Sequence, residues 1–280
     1  MKAYTLGLYE KAMPGDLTWK EKLETAKNAG YDFVEISIDE TDAKLARLDW
    51  TREERLKLME TMYEVGLPIR TMCLSGHRKY PIGSSDPDTR AKGMEIMEKA
   101  IRFAEDLGIR IIQLAGYDVY YEESTPETVA LFGENLKKCE NMAARAGIVL
   151  GFETMETEFM NTVEKAMKYV NLVNSPYLGV YPDMGNITNA AVAYGKDVLE
   201  DIRTGIGHLD AVHLKETVPG VFREVPFGTG HVNFPAVIEE TWKAGVRRYV
   251  TEMWYTGNPQ WKSDLDQAAG MMRPILDAQV

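Results

Sequence analysis

Among 280 residues there are only four histidines, His77, His208, His213 and His231. His213 stands in the stretch DAVHLKE (residues 210–216), where a short apolar run gives out into histidine, lysine and glutamate. Three carboxylates stand in comparable places: Glu153 after IVLGF, Asp183 after YLGVYP and Glu252 after RRYVT. Hard oxygen donors plus one imidazole form a set that suits a single divalent ion such as Mn2+, Mg2+, Co2+ or Zn2+. Four buried ionisable groups in one cavity are costly without a cation to share. Each residue also has a plainer reading, since a carboxylate at a strand end is often only the cap of the helix that follows. A lone histidine after an apolar strand is more often a core or surface residue than a ligand. What separates the two readings is whether the chain brings the four to one place.

The elements that would do so are written as a recurring phrase: a helix end, a glycine, then a short apolar strand. It reads KNAGYDFVEIS, YEVGLPIRTMCLS, EDLGIRIIQLAG, ARAGIVLGFE and WKAGVRRYVTEMW, with degenerate copies in NSPYLGVYPD and IGHLDAVHLKE. Gly30, Gly66, Gly108, Gly147 and Gly245 fit the left-handed position just past a helix C-terminus. The runs after them are too short for helices and too continuously apolar for exposed strands, so they read as parallel strands covered on both faces. Amphipathic helices lie between. Thr51 and Glu54 predict a capping box, and Thr125 with Pro126 predicts a helix whose stripe is Phe132, Leu136, Cys139, Ala143 and Ala146. The Met94, Met97, Ile101, Ala104 stripe reads as helix core. With the opening AYTLGLY the count is eight strand–helix units, the pattern of a (β/α)8 TIM barrel, α/β in class and a single domain over residues 1–280. An open doubly wound sheet is the competitor, but no GxGxxG follows the first strand.

In such a barrel the chemistry lies where strands end at their C-termini. Glu153, Asp183, His213 and Glu252 are then the ends of strands 5 to 8 in one register. Strand 1 exits into YEKAMP, strand 2 carries Glu35 and Ser37, and strand 4 ends near Gln113, a candidate for substrate contact. His208 precedes its strand and belongs to the opposite end.

Composition narrows the partners. Lys plus Arg number 32 against 43 Asp plus Glu, a net charge of −11. That field repels nucleic acid and anionic membranes, and an anionic substrate needs a local basic pocket. Lys11, Arg78 and Lys79 follow strands 1 and 3 and are the candidates for it. No apolar run approaches the roughly 18 residues of a membrane helix, and MKAYTLGLYEKAMPGD lacks a signal-peptide pattern. The two cysteines, Cys73 and Cys139, make no disulfide framework. A cytoplasmic protein without nucleic-acid or membrane partners is expected.

Several stretches, LYEKAMP, DFVEISIDETDAKLARLDW, CLSGHRKYPIGS, IQLAGYDVYY, YPDMGN, AVHLKET and PGVFREVPFGTGHVNF, give the chain a resemblance over nearly its whole length. It resembles the xylose-isomerase-like TIM barrels, in their phosphopentulose 3-epimerase branch. The resemblance implies that Glu153, Asp183, His213 and Glu252 hold one divalent metal ion, and that Glu153 and Glu252 also serve as acid and base. It implies a small phosphorylated sugar as substrate, Arg223 on the substrate's oxygens, and a homodimer. The stretch TMETEFMN after Glu153 departs from the pattern and is expected to alter loop contacts without touching the ligands.

The implied reaction inverts C3 of a ketopentose 5-phosphate. One glutamate removes the C3 proton to give an enediolate, and the other returns a proton to the opposite face. A free-ketose 3-epimerase or an aldose–ketose isomerase would use the same cluster and differ only in the distal pocket. A three-metal phosphodiesterase is excluded by the histidine count and the acidic charge.

Overall fold

The computed structural model describes residues 2–280. Eight strands run β1 Thr5–Tyr9, β2 Phe33–Ile38, β3 Ile69–Leu74, β4 Ile111–Ala115, β5 Val149–Glu153, β6 Leu178–Val180, β7 Val212–Leu214 and β8 Arg248–Thr251. All neighbours pair in parallel, in the order β6-β5-β4-β3-β2-β1-β8-β7. The circle closes between β6 and β7 through isolated parallel bridges, Val180 to Leu209 and Asp183 to His213. This is the expected TIM barrel, and its seam already sets two of the candidate ligands side by side.

Helices cover the strands from outside, so both faces of the sheet are dry. β2 and β4 are buried at every residue, as sheets packed on both faces require. The helix Arg52–Val65 starts in a reciprocal Thr51–Glu54 capping box and ends at Gly66, whose φ of 71° suits a residue without Cβ. The helix Pro126–Arg145 is capped by Thr125 with Thr128 in the return position. Its Phe132, Leu136, Cys139 and Ala143 enter the core, where truncating the fully buried Leu136 to Ala would cost about 2–5 kcal/mol. Met97, Ile101 and Ala104 are core in the helix Pro87–Leu107. The two degenerate units give the shortest strands, three residues each in β6 and β7.

Candidate metal centre

Glu153 is the last residue of β5, His213 lies in β7, and Glu252 directly follows β8. Asp183 follows β6 and opens the helix Met184–Tyr194. One ligand atom from each of the four lies within 4.8 Å of all the others. His213 Nδ1 is 3.3 Å from Glu252, 3.7 Å from Glu153 and 4.0 Å from Asp183. Asp183 caps a helix and still leaves one oxygen open to the cluster. Its Oδ1 accepts from the Asn186 N–H at 2.7 Å and caps the helix, while its Oδ2 is buried without a hydrogen-bond partner. Glu252 Oε2 is likewise unpartnered, with the Lys215 ammonium 3.4 Å away.

The electrostatics are unbalanced. Burial and the Glu252 charge push the Glu153 carboxyl above its ordinary value. Asp183 is pushed well above, by burial first and by Glu252, against the pull of Lys215. Glu252 goes the other way: burial would raise it, but Lys215 and His213 hold it below the usual carboxylate range. The chain's own cations therefore outweigh burial at one carboxylate of the three, and the other two stay raised for want of a further positive charge. Three carboxylates, one imidazole and two orphaned oxygens aimed at a common point fit a divalent ion.

His213 is held from behind. Its Nε2 lies 2.5 Å from Glu35 Oε1, and Glu35 Oε2 accepts from the Tyr181 hydroxyl at 2.9 Å. An ionised carboxylate only accepts, so Nε2 carries a hydrogen, which leaves Nδ1 as the nitrogen that would face an ion in the cluster. This carboxylate–histidine pairing is what orients a metal-binding imidazole. Glu35 was legible only as a polar residue inside an apolar strand. Lys215 was missed as well, although its spacing of two from His213 places it on the same side of the chain. It is buried, 3.1 Å from Asp183 and 2.8 Å from the Asn186 side chain.

Above the cluster opens a cavity lined by Glu153 and Glu252 at its base and by Lys11, Arg78, Lys215 and Arg223. Lys11 is paired with Asp39 at 2.5 Å. Arg78 stacks 4.8 Å from the centre of the Tyr120 ring and donates to the Tyr117 hydroxyl at 3.3 Å, while its Nε has no partner. Arg223 lies 5.7 Å from the Trp254 ring. Two further candidates lie outside the lining of this cavity. Gln113 does not reach the cavity: its amide lies against the His213 ring, 3.2 and 3.3 Å from the two nitrogens, because the inner face of β4 points beneath the imidazole. Lys79 is exposed over Tyr80 and outside the cavity, one residue too far along the turn that carries Arg78. His208 is exposed at the far end of the barrel.

Comparison with known proteins gives three findings. The model of the xylose isomerase-like TIM barrel family matches residues 23–275. The chain is 49% identical over 254 residues to L-ribulose-5-phosphate 3-epimerase UlaE of Salmonella paratyphi B, covering 90% of this chain and 88% of that one. Among solved structures, an L-ribulose 3-epimerase superposes with a TM-score of 0.79 at 19% identity, covering 99% of this chain and 95% of that one. The D-allulose 3-epimerase from Methylomonas sp. in complex with D-allulose gives 0.77 at 20%, covering 100% and 98%. At such identities the structural likeness speaks for the fold alone.

Proposed function

The chain belongs to the xylose isomerase-like TIM barrel family and is a ketose 3-epimerase, and on that premise we propose that it interconverts L-ribulose 5-phosphate and L-xylulose 5-phosphate. The observation that carries the reading is that Glu153 and Glu252, from strands three places apart around the barrel, meet at the base of a cavity whose walls carry arginines. The relatives named for a phosphorylated substrate share 49% identity, whereas the free-sugar enzymes share only about a fifth of their residues.

A divalent ion such as Mn2+, Zn2+, Co2+ or Mg2+, held by Glu153, Asp183, His213 and Glu252, would polarise the C2 carbonyl and acidify C3. The remaining work belongs to the chain. One glutamate takes the C3 proton, the electron pair moves to the C2 oxygen, and the other glutamate delivers a proton to the opposite face of the enediolate, so that C3 is inverted. Which of the two begins depends on the direction of reaction. Lys215 stands between Asp183 and Glu252 and holds the Glu252 carboxyl below the usual range beside the substrate. Glu35 fixes the imidazole that completes the cluster. Arg78 and Arg223, with Lys11 tied to Asp39, receive the phosphate.

A cytoplasmic location and a homodimer complete the reading. Both come from the family resemblance; among the described residues no helix is long and apolar enough to cross a membrane. The test compares kcat/KM for L-ribulose 5-phosphate with that for free L-ribulose. The phosphorylated sugar should be preferred by at least about tenfold, the worth of one or two charge-assisted hydrogen bonds. Equal values, or a preference for the free sugar, would move the reading to a free-ketose 3-epimerase.

A further inference from the structure

The stretch TMETEFMN, set apart in the sequence, places Glu156 in the wall of the cavity. Its carboxylate is held by two phenols, accepting from Tyr117 at 2.9 Å and from Tyr120 at 3.2 Å. Tyr117 in turn accepts from Arg78, and Arg78 stacks on Tyr120. On the other side Arg223 Nη2 stands 3.8 Å from Glu156 Oε1. The carboxylate is thus linked to both arginines that face the cavity, one through a tyrosine and one directly. It also ties the loop after β5 to the loop after β7.

The remaining cations of the cavity are already answered, Lys11 by Asp39 and Lys215 by Asp183 and Glu252. Arg78 and Arg223 are the two left for a ligand, and Glu156 is the one carboxylate linked to them. A carboxylate linked to two guanidinium groups, directly to Arg223 and through the Tyr117 hydroxyl to Arg78, stands where a phosphate oxygen could be received. We infer that Glu156 is a specificity-determining residue, an internal anion that holds the Arg78–Arg223 pair in place and competes with phosphate for it.

This inference rests on the reading of the cavity as a sugar-phosphate site. Its chemical consequence concerns release as much as binding. Substrate and product carry the same phosphate, so an anion built into the wall limits how tightly either is held.

The experiment uses inorganic phosphate as the probe, measured as a competitive inhibitor of the metal-loaded enzyme. Glu156→Gln keeps the shape and removes the charge. Its Ki for phosphate and its KM for L-ribulose 5-phosphate should fall by roughly three- to tenfold, the scale of one charge at a partly exposed site. The kcat/KM ratio of phosphorylated to free sugar should rise in step. Glu156→Asp retains the charge and should return the inhibition constant toward the original value. An unchanged or weakened Ki in Glu156→Gln, or an Asp variant that behaves like Gln, overturns the inference while leaving the phosphate reading intact. A wild-type enzyme that phosphate does not inhibit, and that prefers the free sugar, overturns that reading and this inference with it. Metal content measured for each variant separates these outcomes from damage to the centre beneath.

Discussion

Two clusters of buried charge lie at the same end of the barrel and differ in sign. Glu10, just past β1, is fully buried and ringed by Lys22 at 2.9 Å, Lys44 at 2.5 Å and a two-pronged Arg47 at 2.6 and 2.7 Å, with the Ser37 N–H at 2.9 Å. Three cations answer one carboxylate, and both oxygens are bonded. Around His213 the proportion is reversed. Glu35, Glu153, Asp183 and Glu252 face one imidazole and one ammonium, and two oxygens stay unpartnered. A buried carboxylate whose partners all come from its own chain holds the structure together. One that lacks them marks the place where something else binds.

The largest effect should follow from taking the second cluster's partner away. Chelation followed by dialysis should abolish epimerisation, and Mn2+ or Co2+ should restore it. The same treatment should leave the Glu10 ring and the fold's circular dichroism unaltered. Full activity in protein shown metal-free by elemental analysis would erase the distinction between the two regions.

Next come Glu153→Gln and Glu252→Gln. Each keeps a ligating oxygen and should cost about 10²–10⁴-fold in kcat, the worth of a positioned acid or base. Retained epimerisation with metal still bound would reduce the pair to plain ligands. In the other region Glu10→Gln should act on stability instead. Removing one partner of a buried ionic cluster costs about 3–5 kcal/mol, read as a lower denaturation midpoint. The fraction that remains folded should lose far less in kcat than either catalytic variant.

The Glu10 ring also carries a pH signature. Burial alone would raise its carboxyl, but Arg47, Lys44 and Lys22 hold it well below the usual range. A depressed carboxylate contributes stability that is complete above the unfolded-state value and is lost as pH falls towards the folded one. Glu10→Gln should therefore flatten the acid limb of the stability curve below about pH 4, near the ordinary glutamate value.

The smallest effect belongs to Glu35→Gln, which leaves every ligand present but loosens His213. Metal affinity, measured by titrating the apo protein, should fall by about 10–100-fold. Saturating metal should recover most of kcat. An unchanged affinity would show that the imidazole is held by packing against Tyr181 and Gln113 alone.

What the sequence made legible follows the same division. The repeated helix–glycine–strand phrase spelled out the eight units, because a helix C-terminus needs a left-handed residue and a doubly covered strand needs a continuous apolar run. Glu153, Asp183, His213 and Glu252 stood out because each interrupts such a run at its exit. Glu35 did not stand out, since DFVEISI places it mid-strand, and only barrel closure carries that inner face round to His213. Gln113 stands near a strand's end with its amide turned inward against His213, a contact its position in the chain does not reveal. Glu10 and Glu156 depend on partners far apart in the chain, Lys22, Lys44 and Arg47 for one, Tyr117, Tyr120 and Arg223 for the other. No local spacing reveals those.

The most direct test of the central claim is NMR of L-ribulose 5-phosphate with the metal-loaded enzyme in D2O. The account predicts conversion to L-xylulose 5-phosphate with deuterium entering at C3 and nowhere else. Deuterium at C1 with an aldose product, or no exchange at C3, would contradict it.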